Sequence, residues 1–184
     1  MKTRLMPVAV FLAAIICGCG HKDGRSDPYQ VYAASLSQGL QISNPLLLVQ
    51  ETETWKSSLS EEIRKQLAGL RQDTLEDFLL KNKESVTLTD TFPLKLNIVL
   101  IPNSQIKDLF QTHDKKAYDV LKGLYPGSIG FTRVSQVGFS KDGTQALLYG
   151  VGSRGPTGGG GGITLLDWDG EVWRVTADAQ IWIS

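Results

Sequence analysis

From Ile129 to the C-terminus the apolar residues change their period, and this limits the fold more than any other feature of the chain. Upstream they recur every three or four positions, the spacing of a helix face. Here they recur every second position, the spacing of a strand face. Asp142-Gly143 and Asp169-Gly170 punctuate the run. Asp-Gly between alternating segments marks a tight hairpin, because both residues tolerate the positive φ that such turns need. Folding about Asp142-Gly143 predicts Phe139 opposite Ala146 and Val137 opposite Leu148, and folding about Asp169-Gly170 predicts Leu166 opposite Trp173. Ile181-Trp182-Ile183 closes the chain as a last apolar strand.

The first half reads as helices around short strands. Asp27 caps a helix with Pro28 in its first turn and Tyr29, Val31, Tyr32 and Leu36 along it. Leu46–Val49 is a buried strand continuing to Thr54. Ser58-x-x-Glu61 has the capping-box form before Ile63, Leu67 and Leu70, and Thr74-x-x-Asp77 repeats the signal before Leu75, Phe78 and Leu79. Leu94–Ile101 ends wholly apolar, which predicts a central strand stopped by Pro102. Asn103 or Ser104 caps a helix with Ile106, Leu109 and Phe110, and Asp114 caps another with Tyr118, Leu121 and Tyr125, ended by Pro126-Gly127. These elements predict an α+β fold, with N-terminal helices packed on a mainly antiparallel sheet that ends in a C-terminal β-meander. At 184 residues the chain suits one domain.

The N-terminus reads as an address. Lys2 and Arg4 precede an apolar run from Leu5 to Ile16, too short for the roughly 20 residues of a membrane-spanning helix and suited to a signal peptide. Ile16-Cys17-Gly18-Cys19 resembles the lipobox of bacterial lipoproteins, with Cys17 where Ala or Ser is usual. The resemblance implies a signal peptide over 1–18, lipidation of Cys19, a tether over 19–28 and a single domain over 29–184. An uncleaved anchor, or ordinary cleavage after Gly20, is the alternative. It further implies an extracytoplasmic protein held at a bacterial membrane by its acyl chains, since two or more chains anchor stably. Gly20 in place of an inner-membrane retention Asp favours the outer membrane where there are two. Both cysteines lie in this region, so residues after Cys19 can form no disulfide.

The charge balance gives no handle on nucleic acid. Nineteen basic residues match nineteen acidic ones, and without Lys2 and Arg4 the balance is −2. Gly150-x-Gly152-x-x-Gly155 has the spacing of a dinucleotide fingerprint, but Pro156 and more glycines stand where the phosphate-binding helix would open. Asp167, Asp169 and Glu171 lack the spacing of a calcium loop. Two histidines and no usable cysteine disfavour zinc. His21 lies in the tether, and His113 precedes Asp114 at an expected helix start, so a hydrolase built on His113 is the weakest reading. No metal and no cofactor is expected. Trp55, Trp168, Trp173 and Trp182 suit core pairs or, alternatively, a ligand-stacking platform.

The run from Gly155 to Gly162 is expected to be a loop, because consecutive glycines cost the most backbone entropy to order. It is either a plain hairpin tip or a contact loop that lets a partner's backbone come close. Arg154, Gly158, Gly159, Gly160, Gly161 and Gly162 are the candidate contact residues.

Gly138–Tyr149, the glycine run, Leu166–Val175 and Trp182–Ser184, preceded by a helix with Phe78 and Asn82 near its end, resemble a group of uncharacterised exported bacterial proteins. That resemblance implies an extracytoplasmic α+β domain and carries no site residue. The expected function is a non-enzymatic protein-interaction module of the cell envelope, anchored through its lipid and binding no nucleic acid. The alternative is a small-molecule-binding module with an aromatic-lined pocket between helices and sheet.

Overall fold

The structure, a computed structural model, describes residues 24–38, 44–89, 92–93, 97–113, 116–155 and 158–184. Cys19 and His21 lie outside them, as does the tether up to residue 23; Gly24–Ser26 form a single 3-10 turn. In chain order the elements are α1 (Pro28–Gln38), β1 (Leu46–Val49), α2 (Glu61–Gln66), α3 (Gln72–Lys81), β2 (Ile98–Ile101), α4 (Asn103–His113) and α5 (Ala117–Leu124). They are followed by β3 (Phe131–Val134), β4 (Gly138–Phe139), β5 (Gln145–Ser153), β6 (Gly159–Trp168) and β7 (Trp173–Ile183).

The seven strands form one mixed sheet in the order β2-β1-β3-β5-β6-β7, with β4 also on β5. β1 lies parallel to both β2 and β3. From β3 onward every pairing is antiparallel, which is the expected meander. All four β1 residues are buried, as a continuous apolar run in a strand covered on both faces should be. Leu46 and Leu48 face α1, packing with Val31, Tyr32 and Leu36. Leu47 and Val49 face the other way, onto Ile106, Leu109 and Leu121 of α4 and α5. Register carries Leu47 through Phe131 to Ser153, and alternation carries that face back to Tyr149 and Leu147. There Leu67, Leu75 and Phe78 cover it. One face of the sheet therefore holds α1, and the opposite face holds the other four helices.

Several local expectations shift. The Asp27 cap holds, with Tyr29 N donating to Oδ1 at 3.0 Å. The α2 cap is Ser60 rather than Ser58: Ile63 N donates to its Oγ, and Glu61 and Glu62 fill the first turn. Leu59 is buried, which keeps the chain extended past Ser58. Thr74 does not start α3 but lies inside it, and the cap acceptor comes from the sheet. Gln145 Oε1 accepts from Arg71 N at 2.8 Å and from Thr74 Oγ1 at 3.0 Å. The apolar β2 is not central but an edge strand, half-exposed over Ile98–Leu100. His113 is the last residue of α4, and the expected cap Asp114 lies outside the described residues.

Both hairpins use four-residue loops. Phe139 pairs with Ala146 as expected, and Ser140 N bonds Gln145 O at 2.9 Å around Gly143 at φ +67°. Beyond Asp169-Gly170, however, Trp173 pairs with Trp168 and Leu166 with Val175. Asp169 Oδ1 accepts from both Glu171 N and Val172 N, each at 2.9 Å, and so wraps two more residues into the turn. Next to the turn this two-residue shift leaves Trp173 and Val175 on the expected face with Leu166. A register irregularity between Leu165 and Leu166 then turns Ala177, Ala179 and Ile181 to the face covered by Leu67 and Phe78.

Candidate functional site

The glycine run is the largest correction. Gly159–Gly162 are not a loop but the first four residues of the ten in β6, paired to β5 and to β7. Ladder hydrogen bonds on both sides offset the entropy that ordering glycines costs. Gly158 remains in the turn, where its carbonyl accepts from Arg154 N at 2.7 Å and its N–H reaches Gly155 O. Arg154 is exposed beside it.

Gly161 has a packing reason. A Cβ there would sit 2.7 Å from the Tyr149 hydroxyl and collide with the Trp182 indole. That indole crosses the strand and donates to Tyr149 Oη at 2.9 Å. On the α1 face the arrangement differs. Gly150 is registered with Gly162 and Gly152 with Gly160, so four glycines of two strands form a patch of bare backbone. Nothing lies within 4 Å of a Cβ built on Gly150 or Gly152. Beside the patch, a pocket of about 470 Å³ is bounded by Gly160, Gly162, Thr164, Asp178, Gln180 and Ser35 of α1. Gly150-x-Gly152 and Gly160-x-Gly162 already show the period of two that would have revealed this face.

β7 ends the sheet. It is eleven residues long, against four for the opposite edge strand β2. No backbone hydrogen bond among the described residues leaves its outer edge. Trp182 and Ile183 at its end are exposed, Ile183 at 77%.

A second concavity, of about 620 Å³, lies between the start of α1, α3, β4 and the segment 86–88. Tyr29, Tyr32, Leu88, Val137 and Phe139 line it, and Leu80 and Val86 stand at its edge. Its carboxylates already have partners. Asp77 Oδ2 accepts from Phe139 N at 2.7 Å and from Lys81 Nζ at 2.6 Å, and Asp73 Oδ2 accepts from Lys141 N at 2.9 Å. Asn82, fully buried, accepts from Gln136 N at 2.8 Å and donates to Gln136 O at 3.0 Å. Side chains of α3 and its C-cap therefore take the place of a neighbouring strand along the outer edge of β4. The backbones come close because residue 138 is glycine: a Cβ there would lie 2.5 Å from Phe78 N. Hydrogen bonds from the Arg71 guanidinium hold the Asp142 carboxyl far below the usual range, with Ser140 and Thr144 helping. The N–H of Lys141 lowers Asp73. Burial pushes the Tyr32 phenol up, so it stays protonated and donates to Ser135 O at 2.9 Å.

The remaining candidates separate. His113 is exposed at the end of α4, near Asp108, Ser104 and Thr112 in a shallow surface depression. Asp169 serves its turn and pairs with Arg174. Among the described residues no group of three or more histidines, cysteines or carboxylates could hold a metal ion. No tryptophan lines the larger cleft. Trp168 and Trp173 form a cross-strand edge-to-face pair at 5.7 Å, with Phe139 against Trp173 at 5.8 Å, and Trp55 packs on Tyr149 at 4.9 Å. No helix among the described residues is long and apolar enough to cross a membrane. Compared with family models, curated proteins and solved structures, the chain finds no significant match in any of the three.

Proposed function

We propose that this chain is a lipid-anchored extracytoplasmic protein of the bacterial envelope that binds an extended segment of another envelope protein at the outer edge of β7. One observation carries the binding half: the sheet ends on an eleven-residue strand whose outer edge is open, beside a patch with no side chains. A long open edge invites a further strand, and proteins without such a partner commonly shorten or cover it. The chemistry on offer there is main-chain hydrogen bonding, which suits a polypeptide. The bare backbone of Gly150, Gly152, Gly160 and Gly162 lets a second chain lie close to the sheet. This keeps the glycines and Arg154 of the expected contact surface and replaces a flexible loop with the bare backbone of paired strands. The anchoring half is supported by the lipobox-like Ile16-Cys17-Gly18-Cys19 after a short apolar run.

Photoreactive side chains at Asp178 and Gln180, both exposed on β7, should capture a partner in cells, and one at Glu62 on exposed α2 should not. Equal capture at all three sites would contradict the assignment. Cys19→Ala should release the protein from the membrane fraction, and continued sedimentation with membranes would contradict the anchor. A second reading, a small-molecule-binding module, is favoured by the cleft of about 620 Å³ between α1 and α3, in the size range of ligand pockets.

A further inference from the structure

The geometry points to the cleft between α1 and α3 as a binding site for a long-chain fatty acid, its carboxylate toward Lys141. The deep part is aromatic and aliphatic, formed by Tyr29, Tyr32, Leu88 and Phe139. Apolar side chains also stand at the mouth, Leu80 63% exposed and Val86 44%, between the charged Glu76 and Lys141. Two large apolar side chains held in water at one opening are a standing cost that an apolar ligand removes. A sugar or a peptide would find few free polar atoms on the walls, because Asp73, Asp77 and Lys81 are already engaged. Lys141 has no ion pair among the described residues and stands at the rim.

Position supplies the source. Ser26 and Pro28, at the start of the described chain, form part of the wall. Cys19 precedes Ser26 by seven residues, a reach of at most about 25 Å fully extended. An anchor at Cys19 thus keeps the cleft within one short tether of the bilayer. That step rests on the lipid-anchor reading, whereas the apolar lining and the rim cation do not.

The test uses the full-length protein with phosphatidylethanolamine vesicles containing a diazirine-bearing palmitate, followed by irradiation and peptide mapping by mass spectrometry. Adducts should concentrate on residues 28–32 and 80–88. A Leu80→Glu, Val86→Glu variant, altered only at exposed positions, should keep its melting temperature and lose labelling about fivefold or more. Lys141→Glu should reduce labelling in the same direction. Adducts spread evenly over the other exposed apolar residues Leu124, Val172 and Ile183, or labelling that these variants leave unchanged, would overturn the site. Vesicle flotation separates the two ideas. Protein that floats but is unlabelled in the cleft refutes the acyl site alone. Protein labelled there that fails to float refutes the anchor and leaves the site standing.

Discussion

Glycine carries opposite meanings at different positions of this chain, and the difference lies in what a methyl group would meet. At Gly138 a Cβ would fall on the main chain of Phe78, which cannot move without shifting α3. Gly138→Ala should therefore lower stability by about 1–3 kcal/mol, the usual range for overpacking, measured by urea unfolding. At Gly150 the same methyl enters open space on a strand with an ordinary backbone conformation. Gly150→Ala should be neutral or raise stability by about 0.4–1 kcal/mol, because it restricts the unfolded chain. Equal unfolding midpoints for Gly138→Ala and the unmutated protein would show that the α3–β4 approach is looser than described. Sequence could not separate these two glycines, since both precede an apolar residue in an alternating run. Only the tertiary neighbour distinguishes them.

At the scale of elements, α3 and the β4–β5 hairpin are joined by polar atoms rather than by apolar packing alone. Asn82→Ala would strip the Gln136 N–H of its partner and leave the Gln136 carbonyl only the Ser135 hydroxyl, at a cost of about 1–3 kcal/mol if no water replaces the amide. Asp142→Asn would weaken the Arg71 link at the turn. Acid should act in the same direction. Asp142 and Asp169 both titrate below their unfolded value, Asp169 at about 2 through the N–H groups of Val172 and Glu171 and the Arg174 side chain. A depressed carboxyl stabilises the fold fully above the unfolded pKa of about 4, and that contribution fades as pH falls toward the folded value. Thermal melts should be flat in this respect from pH 7 to pH 5 and fall progressively below about pH 4. Asp142→Asn should lower the melting temperature at neutral pH and make the acid decline shallower. An unchanged acid profile would remove Asp142 from this role.

Most of these elements are legible from local pattern: the Asp27 cap, the run Leu46–Val49, the alternation past Ile129 and the hairpin about Asp142-Gly143 all have local physical causes. What is not local was misplaced. The α3 cap comes from Gln145, some seventy residues away, so Thr74 offered a false start. The Asp169 loop widened because its own carboxylate binds two N–H groups. The edge position of β2 depends on which strands flank β1, and composition does not encode that.

At the scale of the whole molecule, the sheet separates two regions of different chemistry. The described chain starts beside the β4–β5 turn, where Ser26 Oγ would lie 3.4 Å from a Cβ on Gly143, and the acyl-binding cleft opens there. β5 and β6 then run away from that turn to Ser153 and Gly159, where the bare patch, Trp182 and Ile183 lie. The proposed anchor at Cys19 would be tethered seven residues before Ser26 of the cleft wall, with the patch and the β7 edge toward the opposite end of the strands. The glycine run points to this region, but the backbone entropy of glycines in an isolated segment favours a loop. Pairing with two neighbours reverses the balance, and one sequence window cannot show it.

Central to this account is the proposal that a partner binds beside the β7 edge, against the side-chain-free glycine face. The most direct measurement is in-cell crosslinking and capture of the tagged full-length protein beside a Gly150→Val, Gly152→Val variant, with melting temperatures of both. Valine suits a strand and meets no neighbour at the first side-chain carbon, so stability should hold or rise while the captured partner falls about tenfold. A variant that keeps its stability and still captures the same partner at the same yield would contradict the account.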